Sequence, residues 1–114
     1  MTTENIVRIN VAEQFTKLPG ARYKNLGPSS GEEFRERFLV DPLRKGYTVV
    51  VCLDGVRGYG SSFLEEAFGG VVRELGLDIP DALARIKIET KMKSWALDVE
   101  EYIRLAKDTP RQNV

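Results

Sequence analysis

The run YTVVVCLD, Tyr47 to Asp54, constrains the fold more than any other stretch of this chain. Its β-branched residues follow one another without polar alternation, the pattern of a strand covered on both faces by helices in a parallel sheet. The glycine-rich turn GVRGYG comes next, and then Phe63, Leu64, Ala67, Phe68, Val71, Val72 and Leu75 recur at helical spacing up to the stop signal Gly76. Strand, tight turn and helix in that order are the building unit of α/β folds, and this strand is expected at the centre of the sheet. Gly69 and Gly70 fall inside the helix at a cost of about 1 kcal/mol each relative to alanine, which predicts that another backbone approaches there.

Further elements fit around this unit. In NIVRINV, Val7, Ile9 and Val11 alternate with Arg8 and Asn10, the period-2 signature of a half-buried strand at or near a sheet edge. The Pro-Gly signal in LPGARY precedes Arg22 and Tyr23, which are expected to open a short hairpin partner. GPSSGEEFRERFLVDPL reads as a helix: Ser30 and Glu33 fit a capping box, and Phe34, Phe38 and Leu39 share one face. Glu32, Arg35, Glu36 and Arg37 form its polar face, and Pro42 ends it. ARIKIET supplies Ile86 and Ile88 in strand alternation, and SWALDVEEYIRLAKD places Trp95, Val99, Ile103 and Ala106 on one helical face. The tail from Thr109 to Val114 reads as frayed. The expected architecture is a single α/β domain over residues 1–114, with a mixed sheet of about four strands, parallel pairs joined by right-handed crossovers, and three helices.

Composition excludes several classes of function. With 42% hydrophobic content in 114 residues the chain can bury one core. Lys+Arg and Asp+Glu both number 17, so no net field draws it to nucleic acid or to an anionic membrane. No apolar run reaches the roughly 20 residues that span a bilayer, and MTTENIVRINV lacks the basic start and apolar stretch of a secretory signal, so a cytoplasmic location is expected. Cys52 is the only cysteine and lies in the apolar run, where a free thiol acts as a small buried hydrophobe. There is no histidine, which removes Ser-His-Asp and Cys-His catalysis and the usual ligands of zinc. No nucleophile–base pair remains, and no enzyme, cofactor or metal is expected.

The turn in DGVRGYGSSFLEE stands where a buried strand hands over to a helix N-terminus, the position at which open α/β sheets place ligands and unpaired N–H groups favour anions. Gly55, Gly60 and Ser62 match three Walker A positions, but Ser61 replaces the lysine. The dinucleotide pattern fails at Phe63 and the hydrolase elbow fails at Leu64. Ser62 to Glu65 fits a capping box, which would leave Ser61 outside the helix with a free, exposed hydroxyl.

VVVCLDGVRGYGSSFLEEAFGGVVRELG resembles the central strand, loop and helix of the STAS fold, shared by sulphate transporter cytoplasmic domains and anti-sigma factor antagonists. With its Leu-Asp, Gly-Val and Ser-Phe before an acidic helix start, it is most similar to the bacterial STAS-like family of unknown function. RYKNLGPSSGEEFRERFL extends the similarity over most of Val7 to Ile88. In anti-sigma factor antagonists the loop reads Asp-Ser-Ser-Gly, and a partner kinase phosphorylates its first serine. The resemblance places Ser61 on that serine and Ser62 on the second, while Gly60 replaces the aspartate and Phe63 the glycine. It implies a cytoplasmic regulatory module that docks a protein partner, a histidine-kinase-type ATPase, and is switched at Ser61. The implied surface comprises Arg57, Gly58, Tyr59, Gly60, Ser61, Ser62, Glu65 and Glu66, with Arg22 and Arg57 offsetting a phosphate that Glu65 and Glu66 oppose. The alternative is a small-ligand or nucleotide sensor that binds an anion at the same helix N-terminus.

Other clusters have plainer readings. Asp54, Glu65 and Glu66 offer hard oxygen ligands for a divalent cation, but carboxylates in a first helical turn ordinarily complement the macrodipole. Arg22, Tyr23 and Lys24 suit an anion clamp or a solvated strand end. Arg85, Lys87, Lys91 and Lys93 beside Trp95 give a faint nucleic-acid signature that overall neutrality outweighs. Phe34, Phe38, Phe63 and Phe68 are assigned to the core.

Overall fold

The computed structural model describes residues 5–108, and the tail expected to fray, Thr109 to Val114, lies outside them. Strands β1 (Ile6–Asn10), β2 (Thr48–Cys52) and β3 (Ile86–Glu89) form a sheet of order β1-β2-β3 in which both pairings are parallel. β2 is central and β1 is an edge, as expected, with Ile9 opposite Val51 and Val49 opposite Ile86. The sheet has three strands instead of about four, and it is wholly parallel instead of mixed. The absent strand is the hairpin partner at Arg22 and Tyr23. The carbonyls of Ala21 and Arg22 accept from the N–H groups of Gly31 and Glu32, so they serve the start of a helix and not a ladder.

Among the described residues there are five helices instead of three. α1 (Val11–Gln14) takes over directly from β1, because the Asn10 side chain accepts from the Glu13 N–H and caps it. Val11, read as the last inward residue of the strand, is thus the first of a helix, though still fully buried. α2 runs over 31–44 and α3 over 61–75, each with a wide π turn in its middle, Arg35–Leu39 and Glu65–Gly69. The wide turn before Pro42 displaces the ladder that its ring and missing N–H would break, and α2 continues to Arg44. α4 (Ile79–Arg85) is the second unforeseen helix. Its Pro80 sits in the first turn, where no N–H is needed. α5 (Lys93–Arg104) is the expected last helix, and a 3-10 turn, Ala106–Asp108, follows it.

The strand order sends both crossovers in the same direction, so two crossovers of one hand fall on one face of the sheet. That face carries the buried Ile9, Val49, Val51 and Ile86. On the other, Arg8, Lys87 and Glu89 are exposed, while Val50 and Cys52 are half-buried. Among the described residues, helices therefore cover β2 on one face only. Its unbroken β-branched run arises because its second face is shielded by neighbouring side chains, including the Arg8–Glu89 ion pair at 3.3 Å, and not by helices. Phe34, Phe63 and Phe68 are fully buried as assigned, and Phe38 packs beside them, with ring centroids 5.2 Å apart between Phe34 and Phe38.

α2 and α3 meet at their N-termini with almost no space between backbones. A Cβ added at Gly31 would lie 2.5 Å from the Phe63 carbonyl oxygen, whereas one at Gly58 would meet nothing within 4 Å. Gly31→Ala should therefore cost about 1–3 kcal/mol in urea unfolding, and Gly58→Ala less than about 0.5 kcal/mol. Equal midpoints for the two variants would contradict this packing.

Candidate functional site

The loop after β2 is held at several points, each by a named contact. The Asp54 carboxylate accepts from the Thr90 hydroxyl at 2.6 Å and from the Lys91 N–H at 3.0 Å, tying the loop to the end of β3. Gly55 adopts φ 91°, a backbone that favours glycine, and a Cβ there would press on Ala12 at 3.0 Å. The Arg57 N–H donates to the Lys17 carbonyl at 2.9 Å. Tyr59 turns inward: its hydroxyl donates to the Leu53 carbonyl at 2.8 Å, and its ring packs edge-on against Trp95 at 4.9 Å and near Phe63 at 5.6 Å. Burial first, and then the neighbouring Cys52 and Asp54, push the Tyr59 phenol far up, so it stays a donor.

Gly60 is the N-cap of α3, and it contributes no side-chain hydrogen bond. Ser61 is the first helical residue and Ser62 the second, so the expected capping box does not form. Its reciprocal partner is engaged elsewhere, because Glu65 is buried among arginines. The first N–H groups of α3 thus have no side-chain cap, and the positive end of the helix faces the loop surface. Ser61 is exposed and Ser62 half-buried. Tyr102 of α5 borders the same spot. Burial pushes its phenol up, as do Asp98, Glu65 and Glu101, and a hydrogen bond with the Ser61 side chain acts in the opposite direction.

Glu65 and Glu66, assigned to the binding surface, lie beneath it at 7% and 2% exposure. Every residue from Phe63 to Val72 is buried, since α2 and α5 flank the middle of α3. The two carboxylates meet three arginines. Arg73 grips Glu65 at 2.6 and 3.1 Å, and Arg22 reaches Glu65 at 2.5 Å and Glu66 at 3.3 Å. Arg35 contacts the Glu66 carboxylate and carbonyl, and its Nε donates to Glu74 at 3.0 Å. Arg35, placed on the polar face of its helix, is 5% exposed. Gly69 and Gly70 provide the space for these groups. A Cβ at Gly69 would come within 2.6 Å of the Glu65 carboxylate and 3.2 Å of the Tyr102 carbonyl, and one at Gly70 within 2.6 Å of the Arg35 guanidinium. The expected close approach is thus made mainly by charged side chains, with one backbone carbonyl.

The sequence candidates therefore separate into two groups. Arg57, Gly58, Tyr59, Gly60, Ser61 and Ser62 share the loop and helix start, with Arg57, Gly60 and Ser61 exposed. Arg22, Glu65 and Glu66 form the interior network. Asp54, engaged with Thr90 and Lys91, does not join the glutamates, and among the described residues no three His, Cys, Asp or Glu side chains gather as cation ligands. Lys24 pairs with Glu36 at 2.7 Å, so Arg22, Tyr23 and Lys24 make no clamp. Arg85 is drawn into the fold by Asp81 and by the carbonyls of Leu43 and Tyr47. Arg35, Arg73, Trp95 and Tyr102 are the participants that sequence reasoning missed. The Gly69-Gly70 pair was the one signal of the arginines.

Burial alone would raise the Glu65 carboxyl, but Arg73 and Arg22 outweigh it and hold it below its ordinary value of 4.5. Its contribution to stability is then complete above pH 4.5, shrinks as pH falls below that, and is gone once pH passes the lower folded value. Glu65→Gln should cost about 3–5 kcal/mol at pH 7, with the gap to wild type closing on acidification, read from urea midpoints against pH. Because Ser62 caps nothing, Ser62→Ala should change stability by less than about 0.5 kcal/mol. Gly60→Asp, which adds a side chain into open space at the N-cap, should stabilise by a few tenths of a kcal/mol in the same measurement.

A model of the family described as the STAS-like domain of unknown function matches residues 30–91, from the cap of α2 to the loop after β3. No curated protein and no solved structure matches the chain. The matched segment is more than half of the 114 residues and contains the loop, Ser61 and both buried glutamates, so the chain belongs to the STAS-like domain family of unknown function.

Proposed function

We propose that this STAS-like domain is a cytoplasmic regulatory binding module of a bacterial signalling system, not an enzyme, and that Ser61 is its switch. A protein partner, a histidine-kinase-type ATPase, docks on Arg57, Gly58, Tyr59, Gly60, Ser61 and Ser62, and phosphorylation of Ser61 changes its affinity. The partner class comes from the resemblance to anti-sigma factor antagonists. The observation that carries the reading is that Ser61 is an exposed residue at the first position of a helix with no side-chain cap, its side chain bonded to Tyr102. A phosphate there adds about −1.5 to −2 charge next to the positive helix end. The neighbouring carboxylates that would repel it are compensated, because Glu65 and Glu66 are paired with Arg22, Arg73 and Arg35. Among the described residues no helix is long and apolar enough to cross a membrane, which accords with a module that meets its partner in solution.

The uncapped N–H groups also favour a second reading, in which the same helix start binds the anionic group of a small ligand or nucleotide. Two measurements separate the readings. Intact mass after incubation with ATP and a histidine-kinase-type ATPase should show one added phosphate on wild type and none on Ser61→Ala, with melting temperatures nearly equal. The absence of both added phosphate and a complex with wild type would overturn the switch. Thermal stabilisation by nucleotides or phosphorylated metabolites alone would favour the sensor.

A further inference from the structure

We propose that α5 is the element through which a phosphate on Ser61 is read: the added group parts Tyr102 from Ser61 and loosens α5 from the loop. This rests on the reading of Ser61 as the switch and adds where its signal goes. α5 meets the switch in its first and last turns. Trp95 packs edge-on against Tyr59 at 4.9 Å, and the side chain of Tyr102 is hydrogen-bonded to that of Ser61. Trp95, Asp98 and Tyr102 stand at i, i+3 and i+7, so one stripe of the helix borders the loop. Beneath that stripe α5 is held by few side chains. Val99 and Ile103 are its two buried residues, whereas α3 is buried at every position from Phe63 to Val72. An element with so few buried side chains opens at a lower cost than the core.

The charges around the contact decide which helix yields. Transfer of a phosphoryl group from ATP to Ser61 Oγ releases ADP and the hydroxyl proton, so the oxygen that meets Tyr102 loses its hydrogen and gains a neighbour of about −1.5 to −2 charge. Burial, and then Asp98, Glu65 and Glu101, push the Tyr102 phenol up, which puts all three carboxylates near the point where it meets Ser61. Glu65 is neutralised by Arg22 and Arg73. Within α5 Arg104 pairs with Glu100 at 2.7 Å, while the exposed Asp98 and Glu101 have no ion-pair partner among the described residues. A phosphate is thus attracted by the positive N-terminal end of α3 and repelled by α5, so α5 is the side that moves.

The test installs the phosphate on Ser61 by synthesis, with two segments ligated at Cys52, so that its outcome depends on no kinase. Hydrogen exchange read by mass spectrometry should quicken about tenfold over α5 and stay unchanged over β2. Trp95 is the only tryptophan of the chain and packs on Tyr59, so its emission should shift to longer wavelength. Ser61→Glu, which carries one charge, should give the same response at lower amplitude and serves if the ligated chain does not refold. Asp98→Asn combined with Glu101→Gln should return most of the change. Tyr102→Phe in the unmodified protein removes the bond alone and should quicken exchange in α5 by about twofold to threefold. Unchanged or slowed exchange in α5, or equal quickening in α5 and β2, would each overturn the proposal. A wild-type chain that accepts no phosphate from an ATPase would instead overturn the switch, with the response of α5 to a charge at Ser61 still measured.

Discussion

Burying Glu65 and Glu66 in the middle of α3 is tolerable only because three arginines from three parts of the chain converge on them. Removing two carboxylates from water costs several kcal/mol each, and attraction in the interior offsets this only with close, multiply bonded geometry. Arg22 comes from the loop after α1, Arg35 from the π turn of α2, and Arg73 from the turn of α3 that follows its own π turn. Arg73 also donates to the Ala106 carbonyl at 3.1 Å, so the segment after α5 is attached to the same charges. α2 thus contributes Arg35 and the segment after α5 contributes a carbonyl, so the packing of both against α3 is tied to the network. Among the described residues no buried side-chain polar atom lacks a hydrogen bond, so the network is satisfied throughout.

This network also bears on the surface above it. Ser61 lies one helical turn before Glu65, and Tyr102 interacts with both. A charge placed on Ser61 would act on a set of ions already balanced, in a partly buried setting where screening by salt is weak. The loop itself has little freedom, since Asp54, Arg57 and Tyr59 are each tied to a different neighbour. The exposed Ser61 therefore stands on a rigid base, which suits recognition by docking more than by folding around a ligand.

Much of the scaffold was legible because its signals are local. The β-branched run of β2, the alternation in β1 and β3 and the apolar period of α3 each report their own element, and Ser30 caps α2 as its spacing indicates. Errors arose where a local signal competed with a distant contact. Arg22 and Tyr23 suited a strand by composition, but the Ala21 and Arg22 carbonyls were claimed by the first N–H groups of α2. Ser62 and Glu65 suited a capping box, but the carboxylate was claimed by arginines 43 residues upstream and 8 residues downstream. α1 and α4 were missed because each is short and joins a strand without an intervening loop, so neither shows a separate period.

The sequence by itself determined the α/β class, the central position of β2, the turn that presents Ser61 and the family to which the chain belongs, since these rest on residue order and on neighbours a few positions apart. Only the tertiary structure decided that Glu65 and Glu66 belong to the interior, that one face of the sheet stays open and that Gly60 leaves α3 uncapped. Whether a carboxylate faces water or an arginine depends on which helix comes to lie over it. Helical periodicity records the spacing of apolar residues along one element, not the partners brought to it by the rest of the chain.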